Sequence, residues 1–199
     1  LDRLIQVITN TKQIEMVYDP LGRRLRKIIA ERTSSGSTVE HYLYDGDNDI
    51  GAYTSGERPL QLRVLGLANH QNCPATIAIE LENQPFAPIQ DFQGNIRRLL
   101  CPSTGKTVEN YLFSAFGRQK SLKEIIFNPW KYASKRFDHE TNLINFGKRY
   151  YDAELCRWIT TDPAGFIDGM NLYSYLKNNP YRYTDPNGLA IFPLFFIPA

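Results

Sequence analysis

The stretch Lys148–Leu189 reads KRYYDAELCRWITTDPAGFIDGMNLYSYLKNNPYRYTDPNGL. It holds two Asp-Pro-x-Gly turns, beginning at Asp162 and Asp185, an Asp168-Gly169 pair and a basic, tyrosine-rich strand around Arg149. Asp ahead of Pro starts a tight turn: the carboxylate accepts nearby backbone N–H groups and the Pro ring presets φ. Between the two turns, Asn171 to Lys177 is apolar at Leu172, Tyr175 and Leu176, a helical spacing. Asp168 or Asn171 would cap the start of that helix, and Asn178-Asn179-Pro180 would stop it.

The same turn chemistry recurs upstream. Tyr18-Asp19-Pro20-Leu21-Gly22-Arg23 is followed by a shortened Tyr44-Asp45-Gly46. Asp91-Phe92-Gln93-Gly94-Asn95-Ile96-Arg97 and Phe113-Ser114-Ala115-Phe116-Gly117-Arg118 come next. Gly22, Gly46, Gly94 and Gly117 are separated by 24, 48 and 23 residues, so the middle gap spans two periods with one unit worn away. Such a period means stacked supersecondary units, each too small to bury its own core. The four glycine turns are therefore expected on neighbouring strand connections, along one side of a curved sheet. Strands are predicted at 13–18, 25–30, 39–44, 60–67, 75–81 and 96–100. In the first, Ile14, Met16 and Tyr18 share one face and Glu15 takes the other. Thr33 to Thr38 reads as a hairpin loop, and a second turn of helix is predicted at Leu122 to Phe127. The basic run Arg23 to Lys27 is interrupted by Leu25 as a strand would be, and predicts a solvated strand face rather than a phosphate patch.

Composition narrows the function classes. Tyr and Phe supply 23 of the 25 aromatic residues, which favours β structure. With 23 basic against 21 acidic residues, the chain lacks the basic excess of a dedicated nucleic-acid binder. Cys73, Cys101 and Cys156 are odd in number, far apart and without a Cys-x-x-Cys pair. They are expected to be reduced, half-buried thiols rather than a disulfide framework or metal site. His41, His70 and His139 lie near no Cys or Ser motif, and no phosphate loop or hydrolase signature occurs, so no cofactor and no metal are expected. The start at Leu1, without Met or signal peptide, leads to the expectation of a piece of a longer protein. Residues 190–199, AIFPLFFIPA, are uncharged, too few to span a bilayer and interrupted by two prolines. No membrane role is expected of this segment. The tail reads as a stub, either truncated or left by a lost cargo, or as a strand lying inside a shell.

Together these motifs resemble the Rhs, or YD-repeat, family and the shared core that closes its members, which include the C components of insecticidal toxin complexes. The resemblance covers nearly the whole chain, although Gln93 and Asn95 stand where relatives usually carry Leu and Ser. It implies an all-β fold: a spiralling YD-repeat β-sheet segment of a shell at 1–120, a core that curls inward as a plug with one short helix at 121–189, and an apolar stub at 190–199. In the better-studied members the core cuts its own chain just after the final Asp-Pro-x-Gly-Leu, here between Leu189 and Ala190. The implied partners are the rest of the shell, a C-terminal effector and a shell-closing or delivery protein. The implied setting is a secreted or cell-surface bacterial protein. Two other readings stand beside this one: a non-catalytic structural or adhesion scaffold, and an orphan fragment that has lost its effector.

Aspartyl self-cleavage needs two carboxylates close enough to share one proton, because like charges at that distance do not both ionise comfortably. Asp162, Asp168 and Asp185 are the candidates. Arg149, on a strand expected to run alongside Asp162, would keep one carboxylate ionised or hold the scissile carbonyl. Relatives implicate an Arg of the Arg-Tyr-Tyr strand and the Asp of the first Asp-Pro-x-Gly, positions matched by Arg149 and Asp162. The partner of Asp162 stays open between Asp168 and Asp185. Taken singly, each Asp is also an ordinary turn former or helix cap, and Arg149 an ordinary ion-pair residue.

Overall fold

Alternating side chains turn the first half of the chain into a meander. The computed structural model describes residues 3–33, 35–54, 56, 59–67, 74–120 and 124–194. Ten strands lie side by side in sequence order: β1 (Gln6–Ile8), β2 (Lys12–Tyr18), β3 (Arg24–Glu31), β4 (Ser37–Asp45), β5 (Asn48–Thr54), β6 (Pro59–Leu65), β7 (Thr76–Leu81), β8 (Gln84–Gln90), β9 (Ile96–Leu100) and β10 (Thr107–Asn110). The six predicted strands correspond to β2, β3, β4, β6, β7 and β9. The others escaped prediction for local reasons: β8 carries Pro85 and Pro88, β5 carries Gly51, and β1 and β10 are short.

In an antiparallel meander the connections alternate between the two ends of the sheet. The β2–β3, β4–β5 and β8–β9 connections, which hold Gly22, Gly46 and Gly94, therefore share one end. The β6–β7 connection falls at that end too. Residues 68–73 of that connection, where the missing repeat unit is expected, lie outside the described ones. The chain also leaves β10 at that end, into the Gly117 hairpin closed by the Phe113–Gln119 bridge. Three of the turns are chemically the same. At Asp19, Asp91 and Ser114 the carbonyl accepts the Gly N–H three residues on, at 2.9, 3.0 and 3.0 Å. The side-chain oxygen accepts the N–H four residues on, at 2.8, 3.0 and 3.1 Å. The turn needs a left-handed residue at its third step, which is why Gly94 sits at φ +78°. Gly46 differs: it opens a two-residue hairpin between Asp45 and Asn48. Arg23 bridges the two kinds, donating to the Gly46 carbonyl at 3.0 Å.

A second, four-stranded antiparallel sheet follows: β11 (Arg136–Asp138), β12 (Leu143–Asn145), β13 (Tyr150–Asp152) and β14 (Arg157–Trp158). A short pair, β15 (Tyr183–Thr184) and β16 (Phe192–Pro193), closes the described region. Ile14 and Met16 of β2 pack on Leu143 and Tyr150, joining the two larger sheets. Behind them Phe146, Tyr151, Trp158 and Tyr175 cluster with ring centroids 4.1 to 5.9 Å apart, mostly edge to face.

The basic run of β3 is not a solvated face. Arg24 and Lys27 are buried while Leu25 and Arg26 are exposed, so the strand turns two of its charges inward. Arg24 holds Asp138 with both Nη atoms, and Lys27 reaches Glu140 at 3.0 Å and Glu40 at 3.2 Å. Arg136 pairs with Asp49 through Nε and Nη2, and its guanidinium lies 4.8 Å from the Trp130 ring centre. The reason is tertiary: charges of the two sheets cross between them, Asp138 of β11 onto Arg24 of β3 and Arg136 of β11 onto Asp49 of β5. Burial alone would raise the Asp138 carboxyl, but Arg24 and then Lys27 outweigh it and hold it at about 2, against an ordinary 3.8. A carboxylate depressed in the fold adds stability that is present above its unfolded pKa and lost as pH falls through its folded pKa. The thermal midpoint is accordingly expected to stay level from neutral pH to about 5 and to drop between about pH 4 and pH 2. A level midpoint across that window would contradict the assignment.

The predicted helix at Asn171 to Lys177 does not form. The Asn171 carboxamide accepts the Tyr173 N–H at 3.1 Å and makes a turn instead. A 3-10 turn, Leu176–Asn178, then runs at left-handed φ of +50°, +51° and +57°. Seven residues are too few to nucleate a stable helix, and burying Tyr175 and Leu176 in the aromatic cluster decides the backbone. Residues 124–127 form no helix, only a bend at Ile125 and Ile126; 121–123 lie outside the described residues. Cys101 and Cys156 are half-buried free thiols, while Cys73 and His70 lie outside the described residues. Among the described residues no helix is long and apolar enough to cross a membrane.

Candidate functional site

Both Asp-Pro-x-Gly turns use their Asp twice. In the first, Asp162 Oδ1 accepts the Ala164 N–H at 2.8 Å, which shapes the turn. Its Oδ2 accepts Arg149 Nη1 at 2.7 Å. In the second, Asp185 Oδ1 accepts the N–H groups of Asn187, Leu189 and Ala190 at 3.3, 3.0 and 3.3 Å. Its Oδ2 accepts Arg149 Nη2 at 3.1 Å. Turn former and charge partner are thus not alternatives here; each oxygen serves one role.

Arg149 is the hub. It lies in the turn just before β13 and is 2% exposed, with its guanidinium 4.2 Å from the Trp158 ring centre. Its Nε donates to the Gly188 carbonyl at 2.7 Å. One fixed fork therefore spans both carboxylates and the peptide immediately before Leu189. The loop that carries Leu189 and Ala190 is tied at its base, because β15 precedes it and β16 follows it. Lys148 N–H adds a hydrogen bond to Asn187 O at 3.0 Å. Gly188 sits at φ +68°, and a Cβ there would come 3.0 Å from the Arg149 backbone nitrogen. Only glycine lets the loop lie this close to the arginine.

The electrostatics are uneven. One guanidinium faces two carboxylates, so full ionisation leaves an excess negative charge in a buried place. Burial is the main force raising the Asp185 carboxyl above its ordinary value; three backbone donors and Arg149 offset part of that rise. A cavity of about 200 Å³ borders Asp185, with Arg63, Gln90 and Ser134 among its polar walls. It is roomy and polar enough to hold water beside the carboxyl. Leu189 itself is 40% exposed.

Of the sequence candidates, Arg149, Asp162 and Asp185 come together, with Leu189 and Ala190 against them. Asp168 does not join. It ends the 3-10 turn Gly165–Asp168 and makes no side-chain hydrogen bond or ion pair among the described residues. Trp158 and Gly188 were not singled out by sequence. Gly188 had a signal, its place in the second Asp-Pro-x-Gly; Trp158 had none, because its role depends on stacking across β13 and β14.

No family model matches the chain. Among curated proteins it is similar to the toxin subunit YenC2 of Yersinia entomophaga, 29% identical over 187 residues that cover 87% of this chain and 19% of YenC2. It is similar to the toxin subunit YenC1 of the same organism, 43% identical over 77 residues, 39% of this chain and 8% of YenC1. Among solved structures it is similar to the crystal structure of TcdB2-TccC3 without the hypervariable C-terminal region, with a TM-score of 0.66 and 24% identity over 91% of this chain and 9% of that one. That likeness is one of fold. The chain spans no more than 19% of the length of these two curated relatives. Toxin subunits are thus among its curated relatives, and its all-β fold is similar to part of that solved structure.

Proposed function

We propose that the chain is the closing part of an Rhs-type, toxin-enclosing shell and that its core hydrolyses its own Leu189–Ala190 bond. The observation that supports this best is the single Arg149 fork on both turn carboxylates, with the Ala190 N–H resting on Asp185. In the proposed step, water adds to the Leu189 carbonyl carbon and Asp162, ion-paired to Arg149, takes one of its protons. The carbon–nitrogen bond then breaks. Asp185, in its neutral form, gives its proton to the departing Ala190 nitrogen. The products are a Leu189 carboxyl and an Ala190 amine, and the acid pair ends as it began, with one proton. The raised Asp185 carboxyl suits the acid role. A tethered bond held beside its catalyst reacts as though highly concentrated, with effective molarities on the order of 10⁵ M or more, so a weak catalyst suffices for one turnover.

In this reading residue 190 begins the segment set free. The hypervariable C-terminal region named for TccC3 supports a cargo at that place. The remaining shell, an effector and a delivery protein are the partners, in a secreted complex. The test is the intact mass of the purified wild type from a host without the native proteases. Loss of residues 190–199 is the expected result, and a persistently intact tail favours the scaffold reading.

A further inference from the structure

Arg149 is flanked by two residues whose side chains reach away from the site to the first repeat unit. On one side, Lys148 Nζ donates to the Leu21 carbonyl, inside the Asp19–Arg23 turn, at 2.8 Å. The same Nζ lies 3.8 Å from Asp47 Oδ1, in the next hairpin. On the other side, Tyr150 OH accepts Arg24 Nη1 at 2.9 Å and lies 3.4 Å from Tyr18 OH. These contacts reach across more than a hundred residues, 127 for Lys148 and 126 for Tyr150. The backbone of Lys148 also holds the scissile loop through Asn187.

We infer that Lys148 and Tyr150 are positioning residues which make self-cleavage depend on docking of the core onto the first repeat turns. This rests on the cleavage reading above. The physical reason is leverage. A fork that must meet two carboxylates and a carbonyl tolerates little displacement, and an error near 1 Å can cost on the order of 10²-fold in rate. Arg149 lies in the turn before β13, where its carbonyl accepts the Phe146 N–H at 3.0 Å, so its place depends on that hairpin and on what holds its two neighbours. With the repeat undocked, Lys148 loses its acceptor, and the Tyr150 hydroxyl loses Arg24, Tyr18 and Met16. Cleavage would then wait until the shell segment has folded over the core.

The test uses the full chain. Lys148→Met keeps the backbone N–H and the stem but removes the ammonium; Tyr150→Phe removes one hydroxyl. Each is expected to slow appearance of the cleaved mass roughly tenfold, part of the cost of a full misplacement. Lys148→Arg should restore most of the rate, which a purely structural role of the stem would not require. Wild-type rates for Lys148→Met and Tyr150→Phe, or no rescue by Lys148→Arg, would overturn the inference. A second readout does not depend on cleavage. In uncleaved Asp162→Asn protein, Lys148→Met should speed hydrogen exchange at the Leu189 and Ala190 amides, and unchanged exchange overturns the inference. If exchange quickens but the wild type never cleaves, the cleavage reading falls while the docking of the loop through Lys148 stands.

Discussion

Asp162→Asn is expected to leave the Leu189–Ala190 bond uncut in a chain that still folds. The amide keeps the carboxylate's shape, so its oxygen can accept the Ala164 N–H that shapes the turn. Arg149 is not stranded, because Asp185 remains on Nη2 and the Gly188 carbonyl on Nε. With Asp162 replaced, Asp185 can carry the single negative charge that faces Arg149, so the charge of the buried site is unchanged. What disappears is the base. Loss of a positioned acid or base typically lowers a rate by about 10²- to 10⁴-fold, enough to hide cleavage on the timescale of a purification. The measurement is intact mass against time, with a thermal midpoint as the control for folding. Equal processing of wild type and variant would assign the cut to another enzyme.

Asp138→Ala is expected to cause the largest loss of stability, about 3 to 5 kcal/mol. Asp138 is buried, takes both Nη atoms of Arg24 and lies 3.5 Å from Lys27 Nζ. Removing it leaves a guanidinium in the interior with no opposite charge against it. Folded domains are stable by only about 5 to 15 kcal/mol, so such a loss shows as a large shift in the denaturant midpoint. Replacing the pair together, Arg24→Met with Asp138→Leu, should cost far less, because no lone charge is then buried. If Asp138→Ala costs under about 1 kcal/mol, a surface-like value, the two sheets are not held together through this pair.

The parts of the fold that were legible in sequence are those set by local chemistry. Alternation at Ile14, Met16 and Tyr18 announces a half-buried strand because side chains project to opposite faces in turn. The recurrence of Gly22, Gly46, Gly94 and Gly117 announces stacked connections because few residues accept a left-handed backbone. The two Asp-Pro-x-Gly turns named the carboxylates, and the arginine beside the tyrosines named the cation. Where the reading failed, a distant partner had overruled the local signal. Arg24 and Lys27 read as solvated charges because Asp138 and Glu140 lie more than a hundred residues away in the chain. Leu172, Tyr175 and Leu176 read as a helix face because their spacing allows it, yet the aromatic cluster around Trp158 takes Tyr175 and Leu176 from a different backbone.

Strand periodicity, turn positions and the short list of acids are local properties, since each depends on residues within one turn or strand. Tertiary structure alone decided that Asp185, and not Asp168, shares Arg149 with Asp162, and that Lys148 and Tyr150 fasten that arginine to the first repeat. Those choices follow from which surfaces meet when one sheet folds onto the other. Residue spacing does not encode such a meeting, because the buried charges and aromatic rings find their partners only across the closed interface.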